Sequence, residues 1–140
     1  MESLSNIGES YENSPGIRKA CDFLLSKQMD DGGWGESYRA CETAQWVNHE
    51  KSQVVNTAWA LLSLMAVEYP EKEPIQKGIE LIMSRQQTNG EWLQEGIEGT
   101  IRFYNYKIGV FNKNCMISYP NYKFVFCIWA LGRYSNRYEK

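Results

Sequence analysis

The chain has 140 residues, 43% of them hydrophobic and 14% aromatic, with 15 basic side chains against 17 acidic ones. This is one ordinary domain's worth of sequence with enough apolar material for a core, which excludes a large multidomain protein, a disordered chain, a collagen and a disulfide-dense secreted scaffold. A net charge of −2 and a pI near 5.5 argue against the basic face that phosphate neutralisation requires, so no nucleic-acid partner is expected.

The N-terminus, Met1 to Asn6, has neither the charged nor the apolar region of a signal peptide, so the cysteines are expected to be reduced. The first helical pattern places Ile17, Ala20, Cys21, Leu24 and Leu25 on one face, with Ser14-Pro15 as N-cap and first helical residue. Gly32-Gly33 is expected to stop it. The segment Cys41-Glu42-Thr43-Ala44-Gln45 reads as turn-like. A second helix is predicted over roughly 52–68, with Val54, Val55, Ala58, Leu61, Leu62 and Met65 as its apolar stripe and Tyr69-Pro70 closing it. Its apolar run is too short to span a bilayer. Pro74 opens a third helix carrying Ile75, Ile79, Ile82 and Met83, which Asn89-Gly90 stops. A fourth is predicted over roughly 121–135. The fold class is therefore all-α, with about four helices.

Cys21, Cys41, Cys115 and Cys127 include no C-x-x-C pair and His49 is the single histidine, so no metal site is expected. His49 itself, between Asn48 and Glu50, reads as a surface residue.

An internal repeat underlies these helices. Residues Phe23 to Trp34 align with Leu81 to Trp92 at a constant offset of 58, and both copies read apolar, apolar, x, Ser, basic, Gln, three residues, Gly, x, Trp. A third echo, Trp59-Ala60-Leu61 with Trp129-Ala130-Leu131, is offset by 70. Helical units of this length bury their faces against neighbouring units, and two units leave open ends.

This pattern resembles the QW motif of the squalene and oxidosqualene cyclase family, with copies at 19–34 and 77–92. Asp31-Gly32-Gly33-Trp34-Gly35-Glu36, Val55-Asn56-Thr57-Ala58-Trp59-Ala60, Val110-Phe111-Asn112-Lys113-Asn114-Cys115 and Trp129-Ala130-Leu131-Gly132-Arg133-Tyr134 extend the likeness to the C-terminal end of its sterol-forming members. The resemblance implies that 1–140 is a C-terminal segment of a terpene cyclase domain, a partial α/α barrel of helical hairpins. It further implies a cofactor-free isomerase that turns 2,3-oxidosqualene into a lanosterol- or cycloartenol-type sterol or triterpene through successive carbocations. Such a chain would work at the endoplasmic reticulum membrane or the periphery of lipid droplets, with peripheral membrane association through regions outside this sequence.

A migrating cation needs electron-rich, non-nucleophilic walls and a dry cavity. Ten aromatics lie between Phe103 and Tyr134. By their place in the matching segments, Phe111 would be the cation-stabilising phenylalanine, and Cys115, Ile117, Tyr119 and Tyr122 would line or support the same cavity. Phe124, Phe126 and Trp129, at helical spacing, are read instead as core. The family likeness gives Gln28, Trp34, Gln86 and Trp92 a structural task, the glutamine amide stacking on the tryptophan and tying successive helices together.

The family's acid, an aspartate in an Asp-Cys-Thr-Ala-Glu motif, has no counterpart in this sequence, and opening an epoxide requires a positioned acid. Asp30, Asp31, Glu36, Glu91 and Glu95 sit beside Gly-rich turns, where carboxylates are usually solvated. No catalytic residue is assigned, and the isolated chain is expected to be inactive. Two departures from the family pattern stand out: residues 100–109 read as an insert or an unspliced short intron ahead of Phe111, and Cys127 replaces the usual proline, with an expected effect on how the last helix begins. The alternative function is a non-catalytic α-helical interaction module with an open apolar end. A zinc-dependent prenyltransferase β-like barrel ranks last, since His49 has no fitting cysteine partner.

Overall fold

The computed structural model describes residues 1–37, 39–93, 95 and 120–139, without the side chains of Cys41, Glu42 and Pro120. Their regular structure is helical: α1 (Glu2–Ser5), α2 (Pro15–Leu25), α3 (Arg39–Thr43), α4 (Val54–Ala66), α5 (Lys72–Ser84) and α6 (Pro120–Tyr138). An isolated antiparallel bridge pairs Glu36 with Asn48. The all-α reading holds among the described residues, and the four predicted helices are α2, α4, α5 and α6.

Several boundaries differ from expectation, each for a local reason. Ser14 caps α2, its hydroxyl accepting from Ile17 N, with Pro15 at the first helical position. The glycines, however, do not stop the helices. α2 ends at Leu25 and α5 at Ser84, where Lys27 N–H turns back to the Leu24 carbonyl at 2.9 Å and Gln86 N–H to that of Met83 at 3.2 Å, a tightening of the last turn. α5 starts at Lys72 rather than Pro74. The proline lies in the first turn, where a missing N–H costs no intrahelical bond. The segment read as a turn around Cys41 instead contains α3, ended by Ala44 at φ +53°. α6 begins at Pro120, ahead of Cys127; cysteine supplies the N–H that a proline at this interior position would lack.

α4 is the central helix, in contact with α1, α5 and α6. Beyond its predicted stripe, Thr57, Ala60 and Leu64 are also buried; partners on several sides cover most of its circumference. The same apolar core takes in Ile17 and Cys21 of α2, Ile75, Ile79 and Ile82 of α5, and Cys127, Ala130 and Tyr134 of α6. Met83, assigned to the buried face of α5, is exposed. Gly78 and Leu81 are buried in its helix, and a Cβ on Gly78 would lie 2.9 Å from Leu61 and 3.2 Å from the Trp34 ring. The absent side chain admits the indole between the two helices.

The end of α4 shows how its last carbonyls are satisfied. Val67 N–H turns to Ser63 O, Glu68 N–H to Met65 O and Tyr69 N–H to Leu64 O, while Ser5 Oγ donates to Ala66 O at 2.7 Å and Arg137 to Met65 O at 3.0 Å. The two bonds from Glu68 and Tyr69 are those of a Schellman cap, with Glu68 at φ +61° in the place glycine usually takes. Arg133 reaches Leu62 O at 3.3 Å and grips Glu2 with both nitrogens at 2.6 and 2.9 Å. Two guanidinium groups thus sit at the negative end of α4, where the helix dipole favours them.

Candidate functional site

The 58-residue repeat is a repeat of bonds. Trp34 Nε1 donates to Leu24 O at 2.7 Å and Trp92 Nε1 to Ile82 O at 2.8 Å. Gln28 Nε2 donates to Gly32 O at 2.8 Å and Gln86 Nε2 to Gly90 O at 3.0 Å. Met29 N–H and Gln87 N–H turn to the carbonyls of Gly33 and Glu91, and Gly32 and Gly90 both stand at φ +85°. Each turn is closed by its own residues, and both tryptophans are buried. In the first copy the amide of Gln28 also donates to Pro74 O at 2.9 Å, joining the turn after α2 to the start of α5.

The basic residue before each glutamine has diverged in partners. Lys27 Nζ lies 5.3 Å over the Phe23 ring and 6.0 Å over that of Trp46. Arg85 instead gathers polar groups from three segments: Nη1 donates to Ser52 O at 2.6 Å and Glu95 Oε1 at 3.1 Å, and Nη2 to Asp31 Oδ2 at 3.1 Å and Ser52 Oγ at 2.8 Å. The other oxygen of Glu95 accepts from Val54 N–H at 2.7 Å, capping α4. Asp31, 44% exposed, keeps the solvation expected of it while joining this cluster, whereas Glu95, expected to be solvated, is 26% exposed and structural. Sequence reasoning passed over Arg85; its place in the repeat, one residue before Gln86, was the available signal. His49 is half-buried, its Nδ1 3.1 Å from the amide of Lys51.

Of the candidate cavity residues, Phe111, Cys115, Ile117 and Tyr119 lie outside the described residues, as does the insert 100–109. Tyr122 is described, and it stands in an aromatic cluster shared by α4 and α6. Its ring is 6.0 Å from Trp59 and 5.4 Å from Phe126, and Trp59 is 5.4 Å from Phe126, all near edge-to-face; Phe126 stacks on Trp129 at 6.4 Å. Trp129, expected in the core, is 44% exposed. The core face of α6 is set by Cys127, Ala130 and Tyr134, and a residue two positions from Cys127 points nearly the opposite way round a 100° helix. Phe124 and Phe126 are half-buried against the core. With Val125 and Ile128 also exposed, α6 carries apolar residues on both faces.

The described thiols are poor nucleophiles. Burial, then the nearby Asp22 carboxylate, pushes Cys21 up to about 11; burial, then Glu95, pushes Cys127 up to about 12. Cys127 points its sulfur at Val54 O, 3.9 Å away. Among the described residues no group of three His, Cys, Asp or Glu side chains could hold a metal ion, and no helix is long and apolar enough to cross a membrane.

Residues 1–136 match the squalene-hopene cyclase C-terminal domain. The chain belongs to that family. Within it, the sequence is 60% identical over 138 residues to lanosterol synthase erg7A of Aspergillus fumigatus, 52% over 139 residues to lanosterol synthase ERG7 of Saccharomyces cerevisiae, and 42% over 143 residues to human lanosterol synthase. These alignments cover 99%, 99% and 100% of this chain but only 17%, 18% and 18% of the respective relatives. As a squalene-hopene cyclase C-terminal domain, the chain supplies consecutive helices of an α/α toroid, and its twin turns are the joints between them.

Proposed function

We propose that this chain serves as the C-terminal part of an oxidosqualene cyclase that converts 2,3-oxidosqualene to a lanosterol-type sterol. The observation that carries the reading is the 52–60% identity to fungal lanosterol synthases across 99% of the chain. In this reading the chain supplies wall and scaffold. Tyr122 and its aromatic neighbours on α4 and α6, with Phe111 and Tyr119, offer ring faces that stabilise a passing cation by about 0.5–2 kcal/mol each when dry and cannot trap it covalently. The proton that opens the epoxide comes from the part of such a cyclase that this sequence does not include. The apolar substrate also favours work at a membrane or lipid-droplet boundary.

Grafting residues 1–140 in place of the matching segment of the yeast lanosterol synthase tests this. The chimera is expected to form lanosterol from oxidosqualene, and the isolated chain to form none. A folded chimera that stays inactive both with residues 100–109 and without them refutes the proposal; activity regained on their deletion would show the insert displacing Phe111. The two-faced α6 favours one second reading, a helical interaction module. A defined dimer in light scattering, with an inactive chimera, would support it.

A further inference from the structure

A cleft of about 160 Å³ lies between α2, the first tryptophan turn and α4, lined among others by Trp34, Trp46, Trp59, Glu36, Asn56 and Ser63; Trp59 is shared with the aromatic cluster around Tyr122. Here the indoles of Trp46 and Trp59 share the wall with a carboxylate, and Trp34, buried at 1% exposure, forms its floor.

The lining selects against an anion. The indole N–H of Trp34 is spent on Leu24 O and that of Trp46 on Asn48 Oδ1. The amide nitrogen of Asn56 donates to Gln53 Oε1 at 2.5 Å. Among the described residues Glu36 is the one ionisable side chain in this lining, and it is acidic. The walls are held before any ligand arrives: Trp34 is wedged against Gly78, Phe23 meets Trp46 edge-on at 5.8 Å, and Phe126 and Tyr122 brace Trp59. Little ordering is left for binding to oppose. Trp59 is 42% exposed and Glu36 is exposed, which leaves the cavity open on that side.

We infer that this cavity is a binding site for a quaternary ammonium group, held by the indole faces and Glu36. A trimethylammonium head suits it better than a lysine-type ammonium. It carries its charge over several methyl groups, is weakly hydrated and needs no hydrogen-bond acceptor around it, whereas a primary ammonium would lose water that this wall replaces poorly. The group could arrive on a soluble molecule or on a phosphatidylcholine headgroup. The inference stands on this chain alone; it shares Trp59 with the wall of the cyclase reading, and Glu36, which lies outside that wall, keeps the two distinguishable.

The test titrates the 140-residue chain with choline chloride and, separately, with its neutral isostere 3,3-dimethyl-1-butanol at matched ionic strength, following the indole NMR resonances. Choline is expected to shift the signals of Trp34, Trp46 and Trp59 with a Kd about tenfold lower than that of the isostere. Glu36→Gln, at an exposed site that leaves the fold intact, is expected to weaken choline about threefold or more, and Trp59→Leu about tenfold. Equal affinity for the two compounds, no shift with choline, or an unchanged Kd in Glu36→Gln would each overturn the inference. Sedimentation with phosphatidylcholine vesicles, but not with phosphatidylglycerol vesicles, reversed by free choline, assigns the lipid headgroup. Choline binding without sedimentation assigns a soluble ligand.

Discussion

Gly32 and Gly90 hold the same place in the two turns, at the same φ of +85°, and differ in what surrounds them. A Cβ on Gly90 would meet nothing within 4 Å among the described residues, whereas one on Gly32 would lie 2.7 Å from Lys77 Cβ and 2.9 Å from the Lys77 backbone carbon and oxygen. Alanine in the left-handed region costs about 1–2 kcal/mol, partly offset by the lower entropy of the unfolded chain. Gly90→Ala should therefore destabilise by about 1 kcal/mol. Gly32→Ala carries the same backbone cost plus an overlap with α5 backbone, which no side-chain rotation relieves; overpacking of this kind adds roughly 1–3 kcal/mol. Urea unfolding of the two variants isolates the packing part as their difference, read from midpoints at constant m. A difference below about 0.5 kcal/mol would refute the claim that the first turn is clamped against α5 while the second is open.

Further outcomes follow from the caps, the Arg85 cluster and the buried thiols. Glu68→Gly should raise stability by about 1 kcal/mol, because residue 68 closes α4 at φ +61° and glycine adopts that conformation without a Cβ penalty; an unchanged or lower urea midpoint would count against the Schellman assignment. Arg85→Met should destabilise by roughly 1–3 kcal/mol, limited by the 28% exposure of its side chain. Arg85→Lys should recover only part of this, since an ammonium cannot fork between Asp31, Ser52 and Glu95; full recovery in thermal melts would remove the geometric argument. The thiols set an alkaline limit. From the ordinary value of 9.0 up to about 11 for Cys21 and about 12 for Cys127, the unfolded chain releases protons that the fold retains. Stability is fully present below pH 9 and falls above it, by at most about 1.4 kcal/mol per pH unit for each thiol. Cys21→Ala/Cys127→Ala should flatten that slope between pH 9 and 11, and an equal slope in the double variant would refute the assignment.

The two turns were legible in the sequence because their bonds are local. A glutamine that reaches four residues ahead and an indole that reaches ten residues back depend on little beyond their own segment, so repeated letters become repeated geometry. The α2 cap at Ser14 and the apolar stripe of α4 were legible for the same reason. Periodicity did not find Glu68 in a left-handed cap, because glutamate has no preference for that conformation and only the docking of Tyr69 and Val67 imposes it. Nor did it place Trp129: an apolar residue on a helix with two apolar faces has no direction until its neighbours are chosen.

The sequence by itself determined an all-helical chain built twice from one motif, and with that its family. Tertiary structure decided how the copies differ. Gln28 gained a second acceptor on Pro74, Arg85 gathered Asp31, Ser52 and Glu95 while its counterpart Lys27 settled on aromatic rings, and three tryptophans from separate segments came to line one cavity beside Glu36. The physical reason is range. Bonds within a turn span at most about ten residues and are written in the local pattern, whereas Gln28 to Pro74 and Arg85 to Asp31 and Ser52 join groups 33 to 54 residues apart, brought together only when the helices pack.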